Sequence, residues 1–577
     1  MLKNALVLLF LIGFFPICQS QTTISEAVKK NIQSRVDNEV NVGIVVGVID
    51  SDGTHFYSYG VKSLETKEAV DEHSVFEIGS ISKTFTGILL ADMVVKKELK
   101  LEDPLQKHLP EGITAPTRNG ESIKLVHMAN HTSSLPRMPD NFTPANPANP
   151  YADYSEKQLY EFLESCELTR DIGSEYEYSN YAVGLLGHTL AAKHQMTYED
   201  LLVEIIAKPL GLKDTRTVFT PNMKKNLAMG HSGGAQVENW DLSSLAGAGA
   251  IRSTAVDMLK YIAANMGKEK SSLYPAMQLS HQNTTMEGSS SLVGLAWHIE
   301  SLDSLEVIAH GGATGGYRAF AGFISGGDKG VVVLTNSAAS IGDIGAHLLN
   351  PATPLKDVKP SITTKLRQVI DEEGIEAGVK NYRDLKKNHA DKYDFSESEL
   401  NRLGYVYLGK EDIEKAIAIF KINVEAYPDA SNVYDSLGEA LLKNGNKEKA
   451  ITNYKKSVEL DPSNEGGLKI LKELGVDTKG LVKEVIIDDA VLKSYVGEYE
   501  LMPGFVLTVS KDGKQMSAQA TGQPQFPIFP KSESVFYLKV VQAQLTFNKN
   551  EKGVIESATL LQGGQETTGK KMKKKTK

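Results

Sequence analysis

Between Val42 and Val61 the chain is rich in β-formers, "VGIVVGVID" and then "GTHFYSYGV", and the break at Ser51-Asp52-Gly53 predicts a hairpin. Helical periodicity follows in "TFTGILLADMVVKKE" from Thr84 and in "MLKYIAANM" from Met258, the latter preceded by Thr254 and Asp257 at capping-box spacing. Strand character returns in "GYRAFAGFIS" and "GVVVLTNSA" around the turn "GGDKG". Strands at both ends with helices between predict an α+β domain over residues 21–350, its antiparallel sheet assembled from the two ends of the domain and flanked by helices. The proline-bearing stretch from Asn350 to Ser361 ends this pattern, and residues 351–364 read as a linker.

A repeat follows, placed at residues 365–480. Leu403-Gly404 recurs as Leu437-Gly438, Ala416 as Ala450, Phe420 as Tyr454 and Pro428 as Pro462, each displaced by 34 residues. That is the period of a tetratricopeptide helix pair. A degenerate earlier unit, Glu372 to Lys387, is expected to stack on the first, because two repeats alone bury little surface. Residues 485–570 alternate again, with turns at Asp512-Gly513 and Lys552-Gly553, which predicts a small antiparallel barrel or sandwich.

Composition narrows the class. A chain of 577 residues, 41% of them apolar, has enough for several cores. A formal net charge of −9 gives no electrostatic footprint for nucleic acid or for an anionic membrane surface. The basic end, residues 571–577, reads as a solvated terminus. Lys3 followed by the apolar run Ala5 to Ile17 suits a signal-peptide core and falls short of a span, so residues 1–20 are read as a cleaved signal. Export to a periplasm or to the outside is therefore expected, with no membrane span after signal removal. Bulky Ile17 disfavours lipid attachment at Cys18. Cys166 is then the sole remaining cysteine, with no Cys-His context, and reads as an apolar filler.

The chemistry begins at "FEIGSISKTF", where Ser80 precedes Lys83 by one helical turn. A serine hydroxyl needs a base, and a lysine serves if burial and nearby positive charge lower its pKa. As a bare pattern it is equally an ordinary helix face. Tyr178-Ser179-Asn180 offers a phenol that can carry a proton and an amide that can orient a carbonyl, though such a tripeptide is also a common turn. His310-Gly311-Gly312 lies on a strand where glycines would let a substrate backbone approach and an N–H point into an oxyanion hole, or it is simply a loop with a satisfied histidine.

Taken together and in order, "FEIGSISKTFTG", "HTSSLP", "YSN", "LAGAGAIRSTAVDM" and "HGGATGGYRAF" resemble the serine β-lactamase and penicillin-recognising superfamily, in its branch of class C β-lactamases, D-alanyl-D-alanine carboxypeptidases, D-aminopeptidases and family VIII esterases. The resemblance implies Ser80 as acylated nucleophile, Lys83 as its proton-transfer partner and Tyr178 as general base or acid. It implies Asn180, His310, Gly311 and Gly312 at the substrate, the backbone N–H groups of Ser80 and Ala313 as oxyanion hole, and neither metal nor cofactor. His310 stands where many relatives carry the lysine of a Lys-Thr-Gly triplet. A histidine there is expected to be only partly charged near neutral pH, which favours a peptide, amide or ester substrate over an antibiotic. The alternatives are a class C-like β-lactamase and an inactive module that binds wall peptides. The helical repeats resemble tetratricopeptide repeats and imply a protein or peptide partner or a packing spacer. The last domain resembles a small β domain of unknown function that follows β-lactamase-like domains.

Overall fold

A computed structural model describes residues 24–572 except 233, 290, 463, 479, 482–484, 486, 503–504, 522–524, 539–542, 551–552 and 563–564. The expected signal, residues 1–20, lies outside the described residues, as do positions 573–577 of the basic end. Seven antiparallel strands form the main sheet: β1 (Gly43–Asp50), β2 (Gly53–Gly60), β3 (Leu292–Val293), β4 (His298–Leu302), β5 (Leu305–Ala313), β6 (Arg318–Ile324) and β7 (Gly330–Thr335). Their order is β2-β1-β7-β6-β5-β4-β3, so the first hairpin joins the last strand of the domain through β1 and β7, as the two-ended pattern requires. Asp50 pairs with Gly53, leaving Ser51 and Asp52 as the turn.

Helices cover both faces. Helix α1 (Glu26–Asp37) and a later helix at Gly342–Leu349 pack Val28, Ile32, Ile344 and Leu348 against Ile44, Val46 and Val48. Helices α2 (Ser82–Val95), α3 (Asn180–Lys193) and α4 (Ala255–Asn265) belong to the larger core on the other face, with Val45, Val332 and Leu334. A strand covered on both sides cannot alternate apolar with polar, and this is why Gly43 to Val48 is apolar throughout. Helix α2 is buried from Ser82 to Met93, which its nearly continuous apolar sequence permits. At α4 the Thr254 side chain accepts from Asp257 N as expected. The return half of the capping box is absent, because the Asp257 carboxylate instead accepts from Asp214 N and Thr215 Oγ1.

The repeat period is exact in the helices. Glu397–Gly409 and Ile413–Ala426 are followed by Ser431–Lys443 and Lys447–Leu460, each bound shifted by 34 residues. Gly404 lets Phe420 close on its helix and Gly438 lets Tyr454 do the same one repeat later. The earlier helix pair, Ile362–Glu373 and Ile375–Asn388, contributes Ile362, Leu366, Ile370 and Tyr382 to the same core. At the C-terminal end, eight strands from Gly497–Met502 to Gln565–Lys571 close into an antiparallel barrel filled by Tyr499, Leu507, Val509, Phe536 and Phe547. Of the two expected forms, barrel or sandwich, the barrel is the one formed.

Candidate active site

Ser80 sits in a single 3-10 turn, Gly79–Ile81, that leads straight into α2. Gly79 has φ +50, and a Cβ there would lie 2.6 Å from Ala313 N. Glycine is thus required twice at one position, by conformation and by close approach to the end of β5. A Cβ on Gly312 would lie 1.9 Å from Ile78 O, so Gly312 is buried against the turn that carries Ser80. Gly311 and Ala313, on the opposite face of β5, are exposed. The Ser80 turn and the Ala313 peptide are brought together in this way.

Lys83 is fully buried. Its Nζ donates to Ala248 O at 2.6 Å and to Ser80 Oγ at 3.1 Å. Burial, with a smaller push from Arg137, holds the amine well below the ordinary lysine pKa. A neutral amine has a free electron pair, and the contact to Ser80 then reverses, the hydroxyl donating to Nζ. Tyr178 hydrogen-bonds Ser80, and Lys83 Nζ lies 4.8 Å from the centroid of its ring. Burial raises the phenol above its ordinary value, so Tyr178 holds its proton at neutral pH. Asn180 opens α3, its backbone N–H donating to Arg137 O at 3.0 Å and its amide facing Met138 Sδ.

Three imidazoles complete the pocket around Tyr178. The ring of His131 lies 4.4 Å from that of Tyr178, His310 lies 6.2 Å away, and His298 lies 4.8 Å from His310. The sequence suggests a partly charged His310, and the structure corrects this. Burial, His298 and Lys83 hold it well below its usual pKa, so it is neutral. Its Nδ1 lies 2.6 Å from Gly311 O and must carry the proton, which leaves Nε2 as a buried acceptor without a partner among the described residues. His131 is likewise neutral by burial but has the opposite tautomer, because Ser179 N donates to its Nδ1 at 3.1 Å. Among the described residues no group of three or more His, Cys, Asp or Glu is arranged to hold a metal ion.

Sequence reasoning brought Ser80, Lys83, Tyr178, His310 and Ala313 to one place, and the structure places them together. It assigned no part to Ala248, His131, His298, Tyr176 or Arg137. A backbone carbonyl such as that of Ala248 leaves no trace in residue identity, whereas His131 lay inside a quoted motif. Tyr176 donates to or accepts from His298 Nε2 at 3.0 Å. Cys166 is half-buried, its thiol pushed up to about 11 by burial, in keeping with a filler. A cavity of about 530 Å³ lined by Val40, Asn41, His231, Arg367 and Arg402 lies where the repeats meet the first domain and shares no residue with this site.

A Ser-x-x-Lys pair with a fully buried lysine, a tyrosine hydrogen-bonded to the serine and a glycine-lined strand edge make the arrangement of a serine hydrolase. Residues 28–349, more than half of the chain, match the beta-lactamase family, and the chain belongs to that family. Residues 431–464 match the tetratricopeptide repeat and 482–571 a domain of unknown function. The chain is 33% identical over 220 residues to the D-alanyl-D-alanine-carboxypeptidase/endopeptidase AmpH of Escherichia coli K12, a stretch covering 38% of this chain and 56% of that relative. It is 26% identical over 374 residues to a beta-lactamase of the same organism, covering 58% of this chain and 95% of the relative. Among solved structures, a class C beta-lactamase aligns with TM-score 0.52 at 22% identity, over 59% of this chain and 99% of that one, a likeness of fold.

Proposed function

We propose that the protein is an exported serine hydrolase that forms an acyl-enzyme on Ser80 with peptide, amide or ester substrates of the D-alanyl-D-alanine type. The observation that carries this reading is Lys83 Nζ, fully buried, shifted toward its neutral form and 3.1 Å from Ser80 Oγ. In the first step Ser80 passes its proton to Lys83 while Oγ bonds to the substrate carbonyl carbon. The carbonyl electron pair moves onto oxygen, facing the N–H groups of Ser80 and Ala313. Collapse of the tetrahedral adduct breaks the bond to the leaving nitrogen or oxygen. That atom takes the proton from Lys83 through the Tyr178 hydroxyl. Water then attacks the acyl-serine by the reverse proton path and frees Ser80. Asn180, at the start of α3, orients the acyl group, and the His310 Nε2 lone pair accepts a donor from the substrate.

No helix among the described residues is long and apolar enough to cross a membrane. The repeats supply a surface for a protein or peptide partner. The likeness to a beta-lactamase over 95% of that relative's length supports a second reading, turnover of β-lactams. Intact-mass spectrometry after exposure to a fluorophosphonate and, separately, to benzylpenicillin tests both, with Ser80→Ala as control. Labelling of the wild type alone is expected. A persistent penicilloyl adduct favours the peptidase, rapid loss of it the β-lactamase, and no adduct with either reagent overturns the hydrolase.

A further inference from the structure

The charged groups around Ser80 are nearly all spoken for. Lys83 is driven toward neutrality by burial. Arg252 is paired with Glu77 and Asp241, and Arg318 donates to Thr314 O and Tyr317 O. Arg170 pairs with Glu177. The three imidazoles are neutral by burial. His310 therefore offers no fixed cation where a lysine would, only the Nε2 lone pair, which repels a carboxylate oxygen.

Arg137 differs from all of these. Its guanidinium is exposed and lies 5.1 Å from the centroid of the Tyr178 ring. Among the described residues it makes neither an ion pair nor a side-chain hydrogen bond. Its position is fixed from behind, because the Arg137 carbonyl accepts from the N–H groups of Asn180 and Tyr181 at the start of α3, and Ser179 Oγ donates to the neighbouring Pro136 carbonyl. Its charge reaches the reacting groups: it lowers the pKa of Lys83 and of Tyr178. A cation anchored by its backbone, resting on the ring that hydrogen-bonds the nucleophile and in no ion pair among the described residues, is available to an anionic group of a substrate. A guanidinium fork of this kind matches a carboxylate bidentately.

We infer that Arg137 is the specificity residue of this site and takes a carboxylate of the substrate, the part that a lysine at position 310 would otherwise play from the strand side. This rests on the hydrolase reading above and deepens it: the preferred substrates are anionic peptides or amides, and neutral esters are poor ones. The carboxylate is on either the leaving group or the acyl group, and the probes separate the two.

The test is protection of Ser80 against fluorophosphonate labelling, read by intact mass, using two matched pairs of ligands. One pair is acetyl-D-alanyl-D-alanine and its C-terminal amide, in which the carboxylate lies on the leaving side. The other is succinyl-D-alanine anilide and acetyl-D-alanine anilide, in which it lies on the acyl side. In the wild type the carboxylate member of at least one pair should protect about ten- to a hundred-fold more strongly than its neutral twin, the range of a charge-assisted hydrogen bond. Arg137→Gln should lose that ratio, and Arg137→Lys should keep part of it, as a point charge without the fork. The ratio cancels any general damage to the loop, which would weaken both members alike. An Arg137→Gln ratio equal to wild type in both pairs, or no carboxylate preference in the wild type, overturns the assignment while Ser80 still labels. Absence of labelling in the wild type overturns the hydrolase itself, and Arg137 with it.

Discussion

Glu77 and Ser80 stand three residues apart, and the two ends of this short stretch bury polar groups in opposite ways. Glu77 Oε1 accepts from Asn239 Nδ2 at 3.0 Å, Trp240 N at 2.9 Å and Arg252 at 3.4 Å, in a cluster where both charged side chains are 3% exposed. Arg252 in turn donates to Trp240 O and Thr217 O. The cluster joins the turn that carries Ser80 to the strand at Arg252–Ser253 and to the loop at Trp240, and its buried charges face each other, although Glu77 Oε2 and Arg252 Nε have no hydrogen-bond partner among the described residues. Around Ser80 the buried groups instead have no opposite charge to face. Lys83 has the Ala248 carbonyl and the nucleophile but no counter-ion, and His131 and His310 each keep one ring nitrogen without a partner among the described residues. Burial of a charge against its opposite makes a fixed joint. Burial of an amine without one stores reactivity, since it favours the neutral form that can take a proton from the nucleophile.

The largest expected effect lies on the reactive side. Lys83→Met should slow fluorophosphonate labelling of Ser80 by about 10²- to 10⁴-fold, the contribution of a positioned acid–base group. It should leave thermal stability equal or higher, because the variant no longer buries an amine without a counter-ion. A variant that loses labelling through unfolding would place Lys83 with the structural cluster instead. The same group gives a pH signature. Its pKa is depressed in the fold, so the unfolded chain binds more protons through the interval between the depressed value and the ordinary lysine value. Stability from this group is complete above the ordinary lysine pKa and is lost as pH falls through the depressed one. The labelling rate of the wild type should rise with pH along a limb whose midpoint lies below lysine's ordinary 10.4 or so, and Lys83→Met should flatten it. A midpoint at the ordinary value would mean that the amine is charged in the resting site.

The structural side should respond in the other direction. Arg252→Ala leaves Glu77 buried without its cation and should cost about 3–5 kcal/mol of stability, measured by denaturant unfolding followed through the first domain. Protein that remains folded should still label at Ser80. A loss below about 1 kcal/mol, or a labelling defect without destabilisation, would erase the distinction between the two ends of the stretch.

Much of this division is legible in the sequence, though unevenly. The continuous apolar run of β1, the 34-residue displacement and the alternation of the last domain each follow from a single periodicity, and each element forms where that periodicity places it. Ser80 and Lys83 are readable because one helical turn brings positions i and i+3 together whatever the rest of the chain does. Their activation is not. Ala248 reaches Lys83 from 165 positions away through a backbone carbonyl, whose identity no residue type records. The neutrality of His310 follows from neighbours on β4 and α2, and the sequence, showing only the residue, suggests partial charge. Gly312 shows the converse limit: a glycine beside a catalytic strand suggests room for substrate, and its missing Cβ is in fact used to admit the Ile78 carbonyl. Arg137 follows Pro136 in a loop of prolines and asparagines with no periodicity to place it, so only the contact with Tyr178 gives it meaning.

The smallest effect separates two partners of one guanidinium. Arg252 NH2 lies 3.0 Å from Asp241 Oδ1, a shorter contact than the 3.4 Å to Glu77, and by distance alone Asp241 would be the stronger partner. Exposure decides otherwise. The Asp241 side chain is 62% exposed against 3% for Glu77, so water and salt screen its attraction and solvate the carboxylate when the contact is lost. Asp241 also exchanges hydrogen bonds with Asn149, which keep its loop in place when its charge is removed. Asp241→Asn should therefore change stability by no more than about 1 kcal/mol, fading further as ionic strength rises. Arg252→Ala should keep its full cost at high salt, since the charge it strands is out of reach of counter-ions. Equal losses for the two variants, or an Asp241→Asn loss that persists in high salt, would show that the joint extends to the surface and that burial is not what fixes it.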